Sequence, residues 1–213
     1  YKKDWYSFAQ SILFSVITWV ILSVMHNNPA FPESKGAAHS VYASVTGTSL
    51  RSSPEEALPP ETVQRTLREK GLYDSRRNAA GYGIFHKYEL QKEETVVCDH
   101  ACSLVWQQAG SPNDMSYLDT KNYISALNKD RIAGYNDWRL PTLEEAISLM
   151  EPVKKDGDLH IDPVFYPCQK RIWTSDFRKA GMAWTVRFDT GYCDYVYTDN
   201  NIKYYVRAVR GKT

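Results

Sequence analysis

The chain has 213 residues, of which 43% are hydrophobic, so it can bury one sizeable core. Its 26 Lys and Arg residues nearly balance its 25 Asp and Glu residues, and the formal net charge at pH 7 is +1. This balance leaves no basic excess to neutralise phosphates, and we expect no nucleic-acid partner.

The longest apolar run opens the chain, where residues 5–25 carry no charge. At 1.5 Å per residue a helix of this length spans about 31 Å, roughly one bilayer hydrocarbon core. Residues 1–26 are therefore predicted to form a transmembrane anchor, with a cleaved signal peptide or a buried core helix as alternatives. Lys2 and Lys3 precede the run and the first charged side chain after it is Glu33, so the positive-inside rule predicts a cytoplasmic N-terminus and an extracytoplasmic remainder.

Polar and aromatic side chains interrupt this apolar run. Small hydroxyl and amide groups suit a helix that packs against other helices, and tryptophan suits the membrane interface. We therefore predict contacts with the membrane or with a partner helix at Trp5, Gln10, Ser11, Ser15, Thr18 and Trp19.

Residues 27–60 are rich in Pro, Ser, Ala and Gly and show neither a helical nor a strand period, which predicts an extended linker. Residues 61–94 are predicted to hold a short helix and a lead-in. Pro60 opens that helix, Val63 and Leu67 lie four residues apart on one face, and Gly71 can close it in the left-handed conformation.

Residues 95–213 are predicted to form an α+β domain with two helices and an antiparallel meander. Strands are expected at 95–99 and 104–108, and a helix at 116–128. Thr142 opens a second helix with a capping box that ends at Glu145. Trp184, Val186 and Phe188 then alternate with polar residues before a turn, which is typical of a late strand.

The motif at residues 137–142, just before the second helix, predicts a strand-to-helix corner. Pro141 disfavours helix at Leu140, and Thr142 caps the helix that begins after it. Trp138 and Leu140 are expected to point into the core, while Arg139 pairs with Asp137 or holds a loop carbonyl. We interpret the motif as architectural, and its residues are Asp137, Trp138, Arg139, Leu140, Pro141 and Thr142.

Four ordered motifs resemble the Lcl C-terminal domain family, a bacterial domain of poorly defined function. They are GYNDWRLPTLEE at 134–145, IDPVF at 161–165, IWTSD at 172–176 and YVRAVRG at 205–211, and the resemblance covers about residues 71–211. The Arg-Leu-Pro-Thr turn also resembles the equivalent turn of formylglycine-generating enzymes. The resemblance implies a C-type-lectin-like fold.

The four cysteines allow three disulfide pairings in an exported domain, and we favour Cys98 with Cys102 and Cys168 with Cys193. Zinc bound by Cys98, His100 and Cys102 is the alternative, although the spacing is not that of a common zinc motif.

Asp158, His160 and Asp162 alternate, so on an extended segment they share one face and are weak candidates for a cation site. The competing interpretation is that Leu159 and Ile161 are buried and the three polar residues form the solvated face.

No catalytic triad, phosphate loop or HExxH motif occurs, and we expect a non-enzymatic protein without a cofactor. The leading hypothesis is an accessory or scaffolding subunit that docks on a membrane protein complex through its helix and linker, with a periplasmic domain on a bacterial inner membrane. The alternatives are a tethered glycan-binding module and, less favoured, a formylglycine-generating type of oxidative enzyme. The ligand patch predicted for glycan binding consists of Tyr192, Tyr195, Tyr197 and Tyr204.

Overall fold

A computed structural model describes residues 48–155, 158–199 and 201–211. The predicted anchor 1–26, its contact residues Trp5, Gln10, Ser11, Ser15, Thr18 and Trp19, and the first part of the predicted linker lie outside these residues. Within the described part of the chain, no helix combines the length and apolar content that a membrane span requires.

Residues 48–59, here called the strap, do not form the predicted linker. The amide of Thr48 donates to the carbonyl of Ala101, and the amide of Leu58 donates to the carbonyl of Phe177. The Phe177 amide in turn donates to the carbonyl of Glu55. Because these bonds join the strap to residues far along the chain, the strap belongs to the folded domain, and the linker prediction is wrong for residues 48–60.

Helix α1, Pro60–Glu69, confirms the short helix predicted after the strap. Pro60 stands at its first position, Val63 and Leu67 are buried, and Gly71 follows with a φ of +64°. This positive φ is what favours glycine there, because other residues adopt it only with strain.

Two antiparallel sheets confirm the α+β class. The strands are β1 Tyr88–Gln91, β2 Val96–Asp99, β3 Leu104–Gln107, β4 Arg171–Lys179, β5 Met182–Arg187, β6 Tyr192–Tyr197 and β7 Val209–Gly211. In the four-stranded sheet the order is β1-β2-β3-β7, and in the three-stranded sheet it is β4-β5-β6. Hairpins join β1 to β2, β2 to β3, β4 to β5 and β5 to β6, while β7 returns from the end of the chain to pair with β3.

Each side of the four-stranded sheet packs against its own hydrophobic cluster. The main core combines one side of that sheet with α1, with helix α3 at Leu143–Ser148, and with the three-stranded sheet. The second core lies on the other side, where helix α2 at Asp119–Lys129 covers it. Successive side chains of β2 point to opposite sides of the sheet, so Val97 packs in the main core and Cys98 packs in the second core.

The corner motif has the predicted architecture but a different ion pair. The Thr142 hydroxyl accepts from the Glu145 amide at 3.2 Å, and the Glu145 carboxylate accepts from the Thr142 amide at 2.9 Å, which confirms the capping box. Arg139 binds that same carboxylate through both terminal nitrogens, at 2.6 and 2.7 Å. Of the two expected roles of Arg139, pairing with Asp137 is wrong, because Asp137 accepts from Arg210 at 2.6 Å. The other is confirmed, because Arg139 donates to the carbonyl of Leu140 at 3.3 Å. Trp138 is buried as predicted.

Candidate functional site

The four tyrosines of the predicted ligand patch do not form one surface. Strand alternation places Tyr195 on the main-core side of β6, where it packs edge-on to Trp184, whereas Tyr192 is on the opposite side. Tyr192 is only 6% exposed, and Tyr204 packs on Trp173 in a third cluster. Among the four, only Tyr197 is strongly exposed, at 60%.

The alternating segment after residue 157 does not form a cation site. Asp158 is exposed and pairs with Lys154 at 2.9 Å, while the Asp162 carboxylate accepts from the Val164 amide. Leu159 and Ile161 are buried as expected. His160 was expected on the solvated face, and that expectation is wrong.

His160 is buried because its ring fits between neighbouring loops. Its Nδ1 lies 2.8 Å from the carbonyl oxygen of Glu151, and the ring stacks on Tyr73. A Cβ atom on Gly191 would lie 3.0 Å from the same ring. The side chain therefore fills a gap that glycine leaves open.

The predicted disulfides are absent: no two of the four cysteines, all within the described residues, are joined. Cys98 packs in the second core and Cys102 against the main core, so the sheet separates them. Cys168 is exposed, whereas Cys193 is buried. The cysteine count therefore no longer supports an exported location.

Thiol titration checks this correction. In the native chain purified without reductant, we expect one thiol, Cys168, to react rapidly with a disulfide reagent, because the others are buried or partly buried. All four should react after unfolding. Fewer than four thiols in the unfolded chain would show that disulfides form after all.

The structure brings together one set of candidate metal ligands that the sequence did not reveal. Among the described residues, His86, Asp99 and Cys102, here called the His86 cluster, offer ligand atoms that all lie within 4.8 Å of one another. The register of β1 with β2 places Tyr88 opposite Asp99, and the His86 ring stacks on the Tyr88 ring at 4.7 Å. Zinc through Cys98, His100 and Cys102 is not supported, because Cys98 faces the other side of the sheet.

His86 lies between two hydrogen-bond acceptors. Its Nδ1 is 2.7 Å from Oδ2 of Asp99, and its Nε2 is 2.8 Å from the carbonyl oxygen of Ser148. Since a carboxylate and a carbonyl only accept, both ring nitrogens carry a proton and His86 is a cation. Burial lowers its pKa, but the hydrogen bond and charge of Asp99 and the bond to Ser148 outweigh burial, so the pKa of His86 is raised.

Asp99 is the centre of the cluster. Its Oδ1 accepts from the amide of Ala101 at 3.0 Å and from that of Cys102 at 3.4 Å. Burial raises the pKa of the Cys102 thiol, and the charge of Asp99 and a hydrogen bond to it raise it further. The thiol is therefore protonated at neutral pH and is a poor nucleophile.

The thiol of Cys193 is also unreactive. Cys193 lies in the main core, where burial and the charge of Asp74 raise its pKa well above the ordinary value, despite the opposing effect of Arg77. A thiol that stays protonated at neutral pH is a weak nucleophile, and this holds for both Cys102 and Cys193.

His86 also fixes an exposed loop at residues 81–87, here called the aromatic loop. Tyr82 is 68% exposed and Phe85 is 88% exposed, and their rings stack with centroids 6.5 Å apart. The Gly83 amide donates to the carbonyl of Gly71, and the buried His86 ring holds the other end. Two large apolar rings are thus held in solvent by interior contacts.

The comparison with protein families agrees with the motifs. The Lcl C-terminal domain matches residues 95–210, a range that contains α2, α3 and strands β2–β7, and no curated protein matches the chain. The strap, α1 and the aromatic loop precede the matched range and pack on it. Since the match covers more than half of the chain, the protein belongs to the Lcl C-terminal domain family.

Proposed function

We propose that the chain is a single-pass membrane protein of the bacterial inner membrane whose extracytoplasmic domain is a non-enzymatic accessory subunit of a larger membrane complex. The uncharged run at residues 5–25 and the lysines before it support the anchor and its orientation. The antiparallel α+β architecture is compatible with the C-type-lectin-like fold that family resemblance implies.

The exposed aromatic pair of the aromatic loop carries this proposal. Tyr82 and Phe85 hold large apolar surfaces in water, and such surfaces mark sites of protein contact more often than isolated exposed side chains do. The loop is already held by Gly71 and His86, so a partner would lose little entropy in ordering it. Central aromatic anchors of this kind contribute most of the energy at protein interfaces.

Three arginines of the domain are bound to other groups of the domain, and this favours a binding role over catalysis. Arg139 is bound by Glu145, Arg51 by Asp176, and Arg207 by the backbone carbonyls of Gln107, Gln108 and Tyr166. Groups committed to the fold in this way are not available for proton transfer to a substrate.

Glycan binding is the weaker candidate. The tyrosines that favoured it are divided between the two sides of β6 and the third cluster, and only Tyr197 offers an exposed ring. A sugar stacks on an exposed aromatic ring. A single exposed ring is common on protein surfaces, so Tyr197 alone is weak support for a glycan site.

Co-purification of the full chain from solubilised membranes tests the accessory role. We expect a membrane protein to co-elute in stoichiometric amount with the native chain, and the double substitution Tyr82→Ser with Phe85→Ser to weaken that association about thirtyfold, as loss of a central anchor does. Leu118→Ser is the matched control, because Leu118 is also strongly exposed but lies beside α2.

Two results would contradict the proposal. A chain that elutes alone in every mild detergent has no stable partner. A complex that survives the aromatic double substitution but not Leu118→Ser would show that the partner binds beside α2 and not at the aromatic loop.

A further inference from the structure

We propose that His86, Asp99 and Cys102 bind a divalent transition-metal ion, with zinc as the preferred ion. Imidazole, carboxylate and thiolate together form a donor set that zinc accepts readily, with a fourth position open to water. The three side chains come from three places, the aromatic loop, the end of β2 and the turn before β3, and the fold alone brings them within 4.8 Å.

The surroundings of the cluster are those of metal ligands. A histidine that ligates through one ring nitrogen usually donates its other N–H to a carbonyl or carboxylate, which fixes the ring. The Nε2 of His86 already makes this bond to Ser148, the last residue of α3, and leaves Nδ1 directed at Asp99. The amides of Ala101 and Cys102 hold Oδ1 of Asp99 and leave Oδ2 for the ion.

Two protons occupy the place that the ion would take. One is on Nδ1 of His86, hydrogen-bonded to Oδ2 of Asp99, and the other is on the Cys102 thiol, which lies within 4.8 Å of both groups. On binding, the metal forms bonds to Nδ1, to Sγ and to Oδ2, and both protons leave to solvent. The site then holds neutral imidazole, thiolate and carboxylate, so the charges of the ion and the two anionic ligands cancel.

The geometry sets one requirement. The 2.7 Å between Nδ1 and Oδ2 is a hydrogen-bond distance, whereas two such ligands on a tetrahedral zinc ion lie about 3.4 Å apart. Binding therefore has to move the His86 ring and the Asp99 carboxylate apart by about 0.7 Å.

An unused hydroxyl near the cluster supports the inference. The Tyr88 hydroxyl is buried and has no hydrogen-bond partner within the described residues, and the Tyr88 ring stacks on that of His86. A buried polar atom without a partner, beside a set of ligand atoms, is expected where an ion or its bound water completes the site. The metal would also hold the aromatic loop in place, but the inference does not depend on the proposed function.

Cobalt substitution tests the site directly. We expect the full chain, freed of metal by a chelator, to bind one Co²⁺ with a thiolate-to-cobalt charge-transfer band in the near ultraviolet, and one equivalent of Zn²⁺ to abolish that band. Cys102→Ser and His86→Gln should each remove the band. Cys168→Ser is the matched control, since Cys168 is exposed and lies outside the cluster, and it should leave the band unchanged.

A second measurement needs no variant and so remains valid if a variant does not fold. We expect Zn²⁺ to slow alkylation of one thiol of the native chain at least tenfold, and peptide mapping to identify that thiol as Cys102. Absence of stoichiometric Co²⁺ binding, a charge-transfer band that survives Cys102→Ser, or protection that maps to another cysteine would each overturn the proposal.

Discussion

Replacing Asp176 with alanine is expected to lower the free energy of unfolding by about 3–5 kcal/mol, the usual cost of breaking a buried ion pair. The carboxylate is fully buried and accepts four hydrogen bonds. Two come from Arg51 at 2.6 and 2.9 Å, and one each comes from the amides of Glu55 and Leu143 at 2.7 Å. Without it, the buried amide of Leu143 has no partner, and Arg51 and the amide of Glu55 lose their bonds to the domain. Urea unfolding followed by tryptophan fluorescence measures the loss.

The same substitution should release the strap. In the native chain the Arg51 amide donates to Glu144 and the Arg51 carbonyl accepts from Thr142, so the peptide bond after Arg51 is protected from trypsin. In the Asp176→Ala chain this bond should be cut first. Asp189→Ala is the control, because Asp189 forms a partly exposed pair with Arg187 that is worth less than about 1 kcal/mol. Equal stability losses for the two substitutions would refute the central role of Asp176.

Trp184→Ala is expected to cost about 3–5 kcal/mol, as truncation of a fully buried tryptophan does. Trp184 lies on the central strand β5, has no solvent exposure, and donates from Nε1 to the carbonyl of Leu58 at 2.9 Å. The substitution therefore opens a cavity in the main core and also removes a bond that holds the strap. Thermal unfolding of the full chain measures the cost.

A matched pair of milder substitutions separates the two effects. Trp106 is equally buried, but its Nε1 has no hydrogen-bond partner within the described residues. Trp184→Phe should therefore cost about 1–3 kcal/mol more than Trp106→Phe, because it leaves the Leu58 carbonyl unpaired. If the two phenylalanine variants were equally stable, the bond between Trp184 and the strap would not contribute to stability.

Local features of the sequence were enough to predict the local structure. Helix α1 and the capping box of α3 are specified by residues within a few positions of one another, such as Pro60 and Gly71, or Thr142 and Glu145. The alternation around Trp184 likewise predicted strand β5, although Thr185 on its other side is buried as well. These signals need no knowledge of how distant segments meet.

Features that depend on distant pairing could not be read in this way. The strap resembled a linker because its partners, such as Asp176 for Arg51, lie far along the chain. The predicted disulfide between Cys98 and Cys102 failed because the side of a strand is set by its register in the sheet. The His86 cluster depends on the same register, which brings Asp99 opposite Tyr88.

The range that matches the family is also shorter than the folded domain. Residues 95–210 match the family, yet Leu58, Val63, Leu67 and Leu72 all belong to the main core. A fragment that begins at residue 71 or 95 would leave three or more buried positions of this core empty, and cavities of that size destabilise a domain by several kcal/mol. A stable fragment has to include the strap.

Any pull on the chain before Thr48 reaches the domain through the strap. The first strong attachment along that path is Arg51, which is fixed by Asp176, Glu144 and Thr142, while the bonds of Glu55 and Leu58 to Phe177 lie behind it. Tension would therefore load the Arg51 attachment, whose partner Asp176 lies on β4, before it reached the bonds of Glu55 and Leu58. The strap would peel away from its N-terminal end, with the two sheets still intact, and the chain would lengthen before the domain unfolded.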